Sequence, residues 1–171
     1  MCIDLTSGYL NMKLADKQYD VIFETDIATI GLLFQGSKLT HVDYLDNKRM
    51  IAATSKLAER VKNNIEKYLK PKSKVKAIKV DLQLQVTPFQ KKVLDQLLLI
   101  PYGETRSYGD IAKILNTSPR AVGNACRRNP LPIVIPCHRV VAANGIGGYD
   151  GATEGDVLDI KVALLRLEGV I

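Results

Sequence analysis

Pro136-Cys137-His138-Arg139 sets a thiol, an imidazole and a guanidinium on three consecutive residues. A free thiol loses its proton only near pH ~8.5, and the thiolate is the nucleophile, so a reactive Cys137 requires a nearby base or a positive field. His138 is the one imidazole close to it in sequence, since His41 lies far upstream. In an extended segment adjacent side chains point to opposite sides, which predicts a water relay between Cys137 and His138 rather than direct contact. Glu168, near the C-terminus, is an acid that could orient that imidazole or balance its charge. The stiff apolar run Leu131-Pro132-Ile133-Val134-Ile135-Pro136 leads into the cysteine and would carry it into the interior. Taken alone, the pattern equally describes a packed cysteine beside a satisfied histidine.

Other cysteine chemistry is poorly supplied. Cys2, Cys126 and Cys137 are three in number, widely spaced and without a C-x-x-C pair, which argues against a disulfide framework or a zinc cage. With two histidines in the whole chain, metal catalysis has few candidate ligands. No run of eighteen apolar residues occurs, and Met1-Cys2-Ile3-Asp4-Leu5 lacks the basic and apolar regions of a signal peptide. The expected setting is the cytoplasm, with no membrane partner.

The elements that would position these residues fall into two groups. Residues 19 to 45 alternate apolar and polar, with Gly31 and Gly36 as punctuation, predicting short antiparallel strands. From about Arg49 to Lys70, the spacing of Leu57, Val61, Ile65 and Leu69 predicts an amphipathic helix. Lys79 to Val86 alternates again, as a strand or a linker. Thr87-Pro88-Phe89-Gln90 carries a capping-box pattern with proline at the first helical position, and Phe89, Val93 and Leu97 form the face to be buried. The expected division is an α/β domain over 1–86, a small antiparallel sheet plus helix, followed by a mainly helical domain over 87–171. Its 171 residues, 46% hydrophobic and 25% charged, are ordinary globular composition with core enough to need no staple.

Within the second group, Ser107 and Asp110 make a cap for a helix with Ile111, Ile114 and Leu115 as its stripe. Asn116-Thr117 breaks it, and Ser118-Pro119 starts another that ends at Asn129-Pro130. Two short helices around a tight turn read as helix-turn-helix. Steps of 100° put Arg120, Gly123, Asn124, Arg127 and Arg128 on one side of the second helix and Ala121, Val122, Ala125 and Cys126 on the other. The segment from Glu104 to Gly148 holds Arg106, Lys113, Arg120, Arg127, Arg128 and Arg139 against Glu104 and Asp110, an arginine-rich balance suited to phosphate and base contacts. A helical hairpin with arginines for solubility fits the same pattern. The net charge of +6 adds little by itself, and the lysines of residues 48 to 79 read as a solvated face.

The ordered run Arg120-Ala121-Val122-Gly123, then Asn129 through Val140, closely resembles the O6-alkylguanine-DNA alkyltransferases. So do Tyr108-Gly109 upstream and Gly148-Tyr149, Lys161, Leu164-Leu165 and Glu168-Gly169 downstream, covering roughly residues 87 to 170. The resemblance implies a ribonuclease H-like N-terminal domain, and a monomer acting once on duplex DNA that carries an alkylated guanine. It implies Cys137 as alkyl acceptor, His138 as base through a water, Glu168 behind it, Asn129 bracing the network and Tyr108 neutralising the leaving guanine. DNA contacts would come from Arg120, Ala121, Gly123, Asn124, Arg127 and Arg128, with Arg120 entering the duplex and the helix in the minor groove. The pocket would use Tyr108, Val140, Tyr149, Asp150 and Gly151. Some members hold structural zinc in the first domain, but Cys2 and His41 alone could ligate it here. The 150–160 stretch reads as an unusually long loop, a glycine-bearing lid. Three rival readings are a damage-recognition protein, disfavoured because Cys137 is retained, a plain helix-turn-helix regulator, and a cysteine hydrolase, disfavoured because Cys137 and His138 are adjacent.

Overall fold

The structure, a computed structural model, describes residues 18–46, 49–149 and 155–171. Its first layer is an antiparallel sheet in the order β1 (Val21–Glu24), β2 (Thr29–Gln35) and β3 (Lys38–Leu45). Gly36, at φ +60°, supplies the left-handed residue of the two-residue turn that pairs Gln35 with Lys38. Gly31 does not punctuate the sheet, contrary to expectation. It sits inside β2 opposite Ile22 and Asp43, where a Cβ would fall 2.6 Å from the Tyr19 ring. The glycine makes room for that tyrosine.

Helix α1 (Lys56–Tyr68) starts later than its periodicity suggested. Ile51 is bonded to Ile22 of β1 in both directions, which holds that stretch extended until Ser55 caps the helix through Ala58 N. Ala58, Val61, Ile65 and Tyr68 face the core. The alternating run before residue 87 makes one parallel bridge, Leu39 with Leu82, and is otherwise an extended connection alongside β3.

Helix α2 (Pro88–Leu98) is capped by Thr87, whose hydroxyl accepts from Gln90 N. The Gln90 side chain, expected to close a capping box, turns instead to α4 (Pro119–Arg127), donating to the carbonyls of Arg128 at 2.6 Å and Ala125 at 3.4 Å. Buried Gln90 therefore replaces Phe89 on the inner face, and Phe89 is exposed. Helix α3 (Tyr108–Ile114) carries the expected capping box between Ser107 and Asp110, but its Ile114 points outward. Asn116, at φ +48°, reverses the chain into α4, which Ser118 caps through Ala121 N. Short parallel strands β4 (Arg106–Ser107) and β5 (Val140–Val141) tie the start of α3 to the segment after the cysteine.

Helix α5 (Asp156–Leu167) takes up much of what read as a loop over 150–160. Asp150, Gly151 and the rest of the proposed lid up to Glu154 lie outside the described residues. One hydrophobic cluster includes Val21, Leu32, Ile65, Leu94, Val122, Ile135 and Leu164, so every helix and the sheet share a core. No helix among the described residues is long and apolar enough to cross a membrane.

Candidate active site

The approach to Cys137 is a compact turn. Leu131 O accepts from Ile135 N at 2.8 Å, and Ile133 is held at φ +71°, a conformation a β-branched residue occupies at a cost of about 1–3 kcal/mol. Asn129 fixes this turn at both ends. Its Oδ1 accepts from Leu131 N at 3.0 Å, and its Nδ2 donates to Ile135 O at 2.9 Å and to Cys137 Sγ at 3.1 Å. Cys137, His138 and Arg139 then form a single 3-10 turn, not the extended segment assumed from sequence. The turn sends the three side chains in three directions.

His138 points fully inward. Its Nε2 lies 2.7 Å from Glu168 Oε1, while its buried Nδ1 has no hydrogen-bond partner. An ionised Glu168 keeps the proton on Nε2, which leaves Nδ1 with a free lone pair, the form of imidazole that can accept a proton. Burial holds the His138 pKa below its ordinary value, although the Glu168 bond and charge oppose this. Glu168 is the hub. It accepts from His138, Arg139 Nε and Nη2, the Gly103 amide and the Tyr68 hydroxyl. Burial alone would raise its pKa, but the His138 and Arg139 hydrogen bonds outweigh it and bring the carboxyl down to about 2.

Arg139 was counted from sequence with the residues that suit phosphate. It is buried, 2.9 Å from Glu168 Oε2 and 2.7 Å from Ile100 O, and is unavailable to a partner. Tyr68 reaches the same network from α1, its hydroxyl also 3.4 Å from His138 Nε2. Neither the Tyr68 nor the Arg139 contact was read from sequence. A tyrosine on the buried stripe of α1, three residues after Ile65, was the available signal, because a buried phenol needs a polar partner.

On the other side of Cys137, the Tyr149 hydroxyl lies 3.8 Å from Sγ and 3.0 Å from the Tyr44 hydroxyl of β3. Burial, with Cys137 next, holds the Tyr149 pKa well above the ordinary phenol value. Tyr108 donates to Gly148 O at 3.1 Å, and burial pushes its hydroxyl up to about 12. Lys161 is wholly buried, donating to the carbonyls of Val140, Ile146 and Gly148 at 2.6, 2.7 and 3.0 Å. Burial brings its pKa down to about 8, so it is mainly charged at neutral pH and braces the segment between Val140 and Tyr149. Val140, expected to line the pocket, is itself completely buried and offers its carbonyl to Lys161.

The structure thus gathers two bonded groups that meet at the Cys137–His138 turn, Asn129–Cys137–Tyr149 on one side and His138–Glu168 on the other, with Tyr108 bonded to Gly148 O next to Tyr149. The arginines of the basic helix take no part in these bonds. Arg120, Asn124, Arg127 and Arg128 are exposed along α4, and Ala121 and Asn124 line a shallow groove with Phe89 and Gln90 of α2. Gly123 is half-buried, and a Cβ there would lie 3.9 Å from the Tyr108 ring, so the helix bearing the arginines packs beside the tyrosine of the cluster. Cys126 faces the core, and burial pushes its thiol up to about 12. No group of three potential ligands for a metal ion occurs among the described residues.

Residues 88–170 match the family model described as 6-O-methylguanine DNA methyltransferase, DNA binding domain. The methylated-DNA--protein-cysteine methyltransferase of Methanosarcina acetivorans is 39% identical over 160 residues, spanning 88% of this chain and 98% of that protein. This chain belongs to the methylated-DNA--protein-cysteine methyltransferase family. The Archaeoglobus fulgidus member is 52% identical over 94 residues, a stretch that makes up 54% of this chain and 64% of that protein. In three dimensions, this family member resembles Mycobacterium tuberculosis OGT in complex with DNA, with a TM-score of 0.71 and 36% identity over 86% of this chain and 90% of the other.

Proposed function

We propose that this chain repairs alkylated DNA by moving the alkyl group from O6 of guanine to Sγ of Cys137, once per molecule. The observation that carries the reading is the pairing of a buried thiol, held by the Asn129 amide, with a neighbouring imidazole whose buried Nδ1 has no hydrogen-bond partner and whose Nε2 is anchored on Glu168. The Cys137 proton passes through a water to His138 Nδ1, and Glu168, ionised because its carboxyl is held down to about 2, balances the imidazolium. The thiolate attacks the alkyl carbon in line as the carbon–O6 bond breaks, and the electron pair stays on the guanine. Tyr108 supplies a hydrogen bond to that leaving base. The product is a thioether with no departing group, so the reaction stops after one transfer and uses no cofactor.

Reaching O6 requires taking the guanine out of its stack, at a cost of a few kcal/mol. In this reading α3 and α4 form a helix-turn-helix that enters the minor groove, and Arg120 fills the space the base leaves. Asn124, Arg127 and Arg128 meet the backbone, while Ala121 and Gly123 keep the helix slim. The pocket for the extruded base is assigned to Tyr108 and Tyr149. The sheet and α1 are taken as the ribonuclease H-like part, the division of labour falls near residue 87, and the protein works as a monomer.

The test is to incubate the protein with duplex DNA containing O6-methylguanine and to weigh the intact chain. One added methyl group, mapped to Cys137 and missing in Cys137→Ala, is the expected result. Multiple turnovers, or binding with no adduct, would overturn the proposal, the second favouring a damage-recognition protein.

A further inference from the structure

Strand β3 touches the cysteine's surroundings at two points. Val42 N donates to Pro130 O at 2.9 Å, next to the Asn129 that holds Sγ, and the Tyr44 hydroxyl meets Tyr149 at 3.0 Å. The two phenol rings lie 6.3 Å apart, tilted by 50°. From β3 to the nucleophile the polar chain is therefore Tyr44 Oη, Tyr149 Oη, Cys137 Sγ, the last step 3.8 Å.

Proton counting gives this chain a direction. Tyr149 has one hydroxyl proton and two neighbours. While Cys137 is a thiol, its S–H can donate to Tyr149, which then donates to Tyr44. A thiolate can only accept, so Tyr149 must turn its proton to the sulphur, and its own oxygen is then free to accept from Tyr44. Linked hydroxyls polarise one another, and a phenol that accepts a hydrogen bond donates a stronger one. We infer that Tyr44 is a positioning residue for the nucleophile: by donating to Tyr149 it aims the Tyr149 proton at Sγ and favours the thiolate. This deepens the alkyl-transfer reading and rests on it.

Among the described residues, the other titratable groups around the sulphur include Tyr108 from α3, Cys126 from α4, Lys161 from α5 and His138 beside it. None is altered by changing Tyr44 to phenylalanine, which keeps the ring and removes only the hydroxyl. The experiment reads alkylation of Cys137 by iodoacetamide against pH, followed by peptide mass, with no DNA present. In Tyr44→Phe the pH of half-maximal reactivity rises by about one unit, equivalent to a roughly tenfold smaller thiolate fraction well below the midpoint. Single-turnover methyl transfer slows by about the same factor at low pH and recovers at high pH, with DNA affinity unchanged. Adding Tyr44→Phe to Tyr149→Phe brings no further shift. A fluorinated tyrosine at 44, a stronger donor of the same shape, moves the midpoint down and serves should the phenylalanine variant not fold.

An unchanged midpoint, a rate loss equal at every pH, or additive effects of the two substitutions would overturn the role of Tyr44. Failure of the wild-type protein to take methyl from DNA, with the iodoacetamide shift intact, would instead sink the alkyl-transfer reading and leave the hydroxyl chain standing.

Discussion

Arg139 and the arginines of α4 lie on either side of one short turn and live under opposite rules. Arg139 is buried with its guanidinium shared among Glu168, Ile100 O and Tyr68. Arg120, Arg127 and Arg128 are exposed, and among the described residues none has a side-chain hydrogen bond or ion pair. A charge that serves the chemistry is fixed by the fold before any partner arrives, since reorganisation at the moment of reaction would cost rate. On the proposed function the exposed arginines of α4 are the charges that would meet DNA, and their contribution would come from releasing counterions on contact. The same residue type thus gives no clue to its role until burial is known.

The comparison breaks most visibly at Glu168. In Glu168→Gln the buried guanidinium loses its counter-charge and His138 loses its anchor. Removing one member of a buried pair typically costs about 3–5 kcal/mol. The methyl-transfer rate is expected to fall by roughly 10²- to 10⁴-fold, as for loss of a general base. Denaturant titration and single-turnover kinetics check both. A variant as stable and fast as wild type would mean the network is packing and nothing more.

Acid provides the next largest effect. The Glu168 carboxyl is held near 2 against an ordinary 4.5, so its stabilisation is complete above pH 4.5 and is lost as pH falls toward 2, on the order of 3 kcal/mol in all. His138, held below its ordinary 6.5, adds in the same direction: the fold keeps the imidazole neutral, so stability begins to drop below pH 6.5. Unfolding free energy followed by circular dichroism from pH 7 to 2.5 should show the carboxylate loss in the wild type and not in Glu168→Gln. Parallel curves would remove Glu168 as its source.

The exposed arm is sharpened by Arg120→Ala, with a smaller effect. Stability should change by less than about 0.5 kcal/mol, as for a surface residue. Methyl transfer from duplex DNA should slow by roughly tenfold or more, as when a few kcal/mol of base-extrusion cost goes uncompensated, with a lesser loss on free O6-methylguanine. Equal losses on both substrates would place Arg120 in the chemistry instead of the unstacking.

Where the information was local, the sequence could be read directly. Ser107-Asp110, Thr87 and Ser118 announced their helix starts, and the 100° steps of α4 separated its arginines from Val122, Ala125 and Cys126. Cys137 and His138 stood out because they are adjacent, though the 3-10 turn between them did not. Helix α5 began without a mark: its cap is Gly155, which has no side chain to signal with. Tyr68, Tyr44 and the Gly103 amide reach the site across long stretches of chain, the first 100 residues from its Glu168 partner. Such contacts depend on how helices and sheet pack, which periodicity does not encode. Phe89 and Ile114 satisfied helical spacing and are still exposed, and beside α4 the buried place is taken by Gln90, whose amide reaches the carbonyls of Ala125 and Arg128.

The shared core has a consequence for folding. Val21 and Ile65 pack in the same apolar cluster as Val122, Ile135 and Leu164, with Val42 N–H closing on Pro130 O across the join. Neither half can come away without uncovering the other's share of that cluster, so the chain should denature as one cooperative unit. A fragment starting at Pro88 would keep every helix-start signal from Ser107 onward and the cysteine. It would lack the Tyr68 phenol that bonds Glu168 and the apolar side chains that the sheet and α1 add to the common cluster.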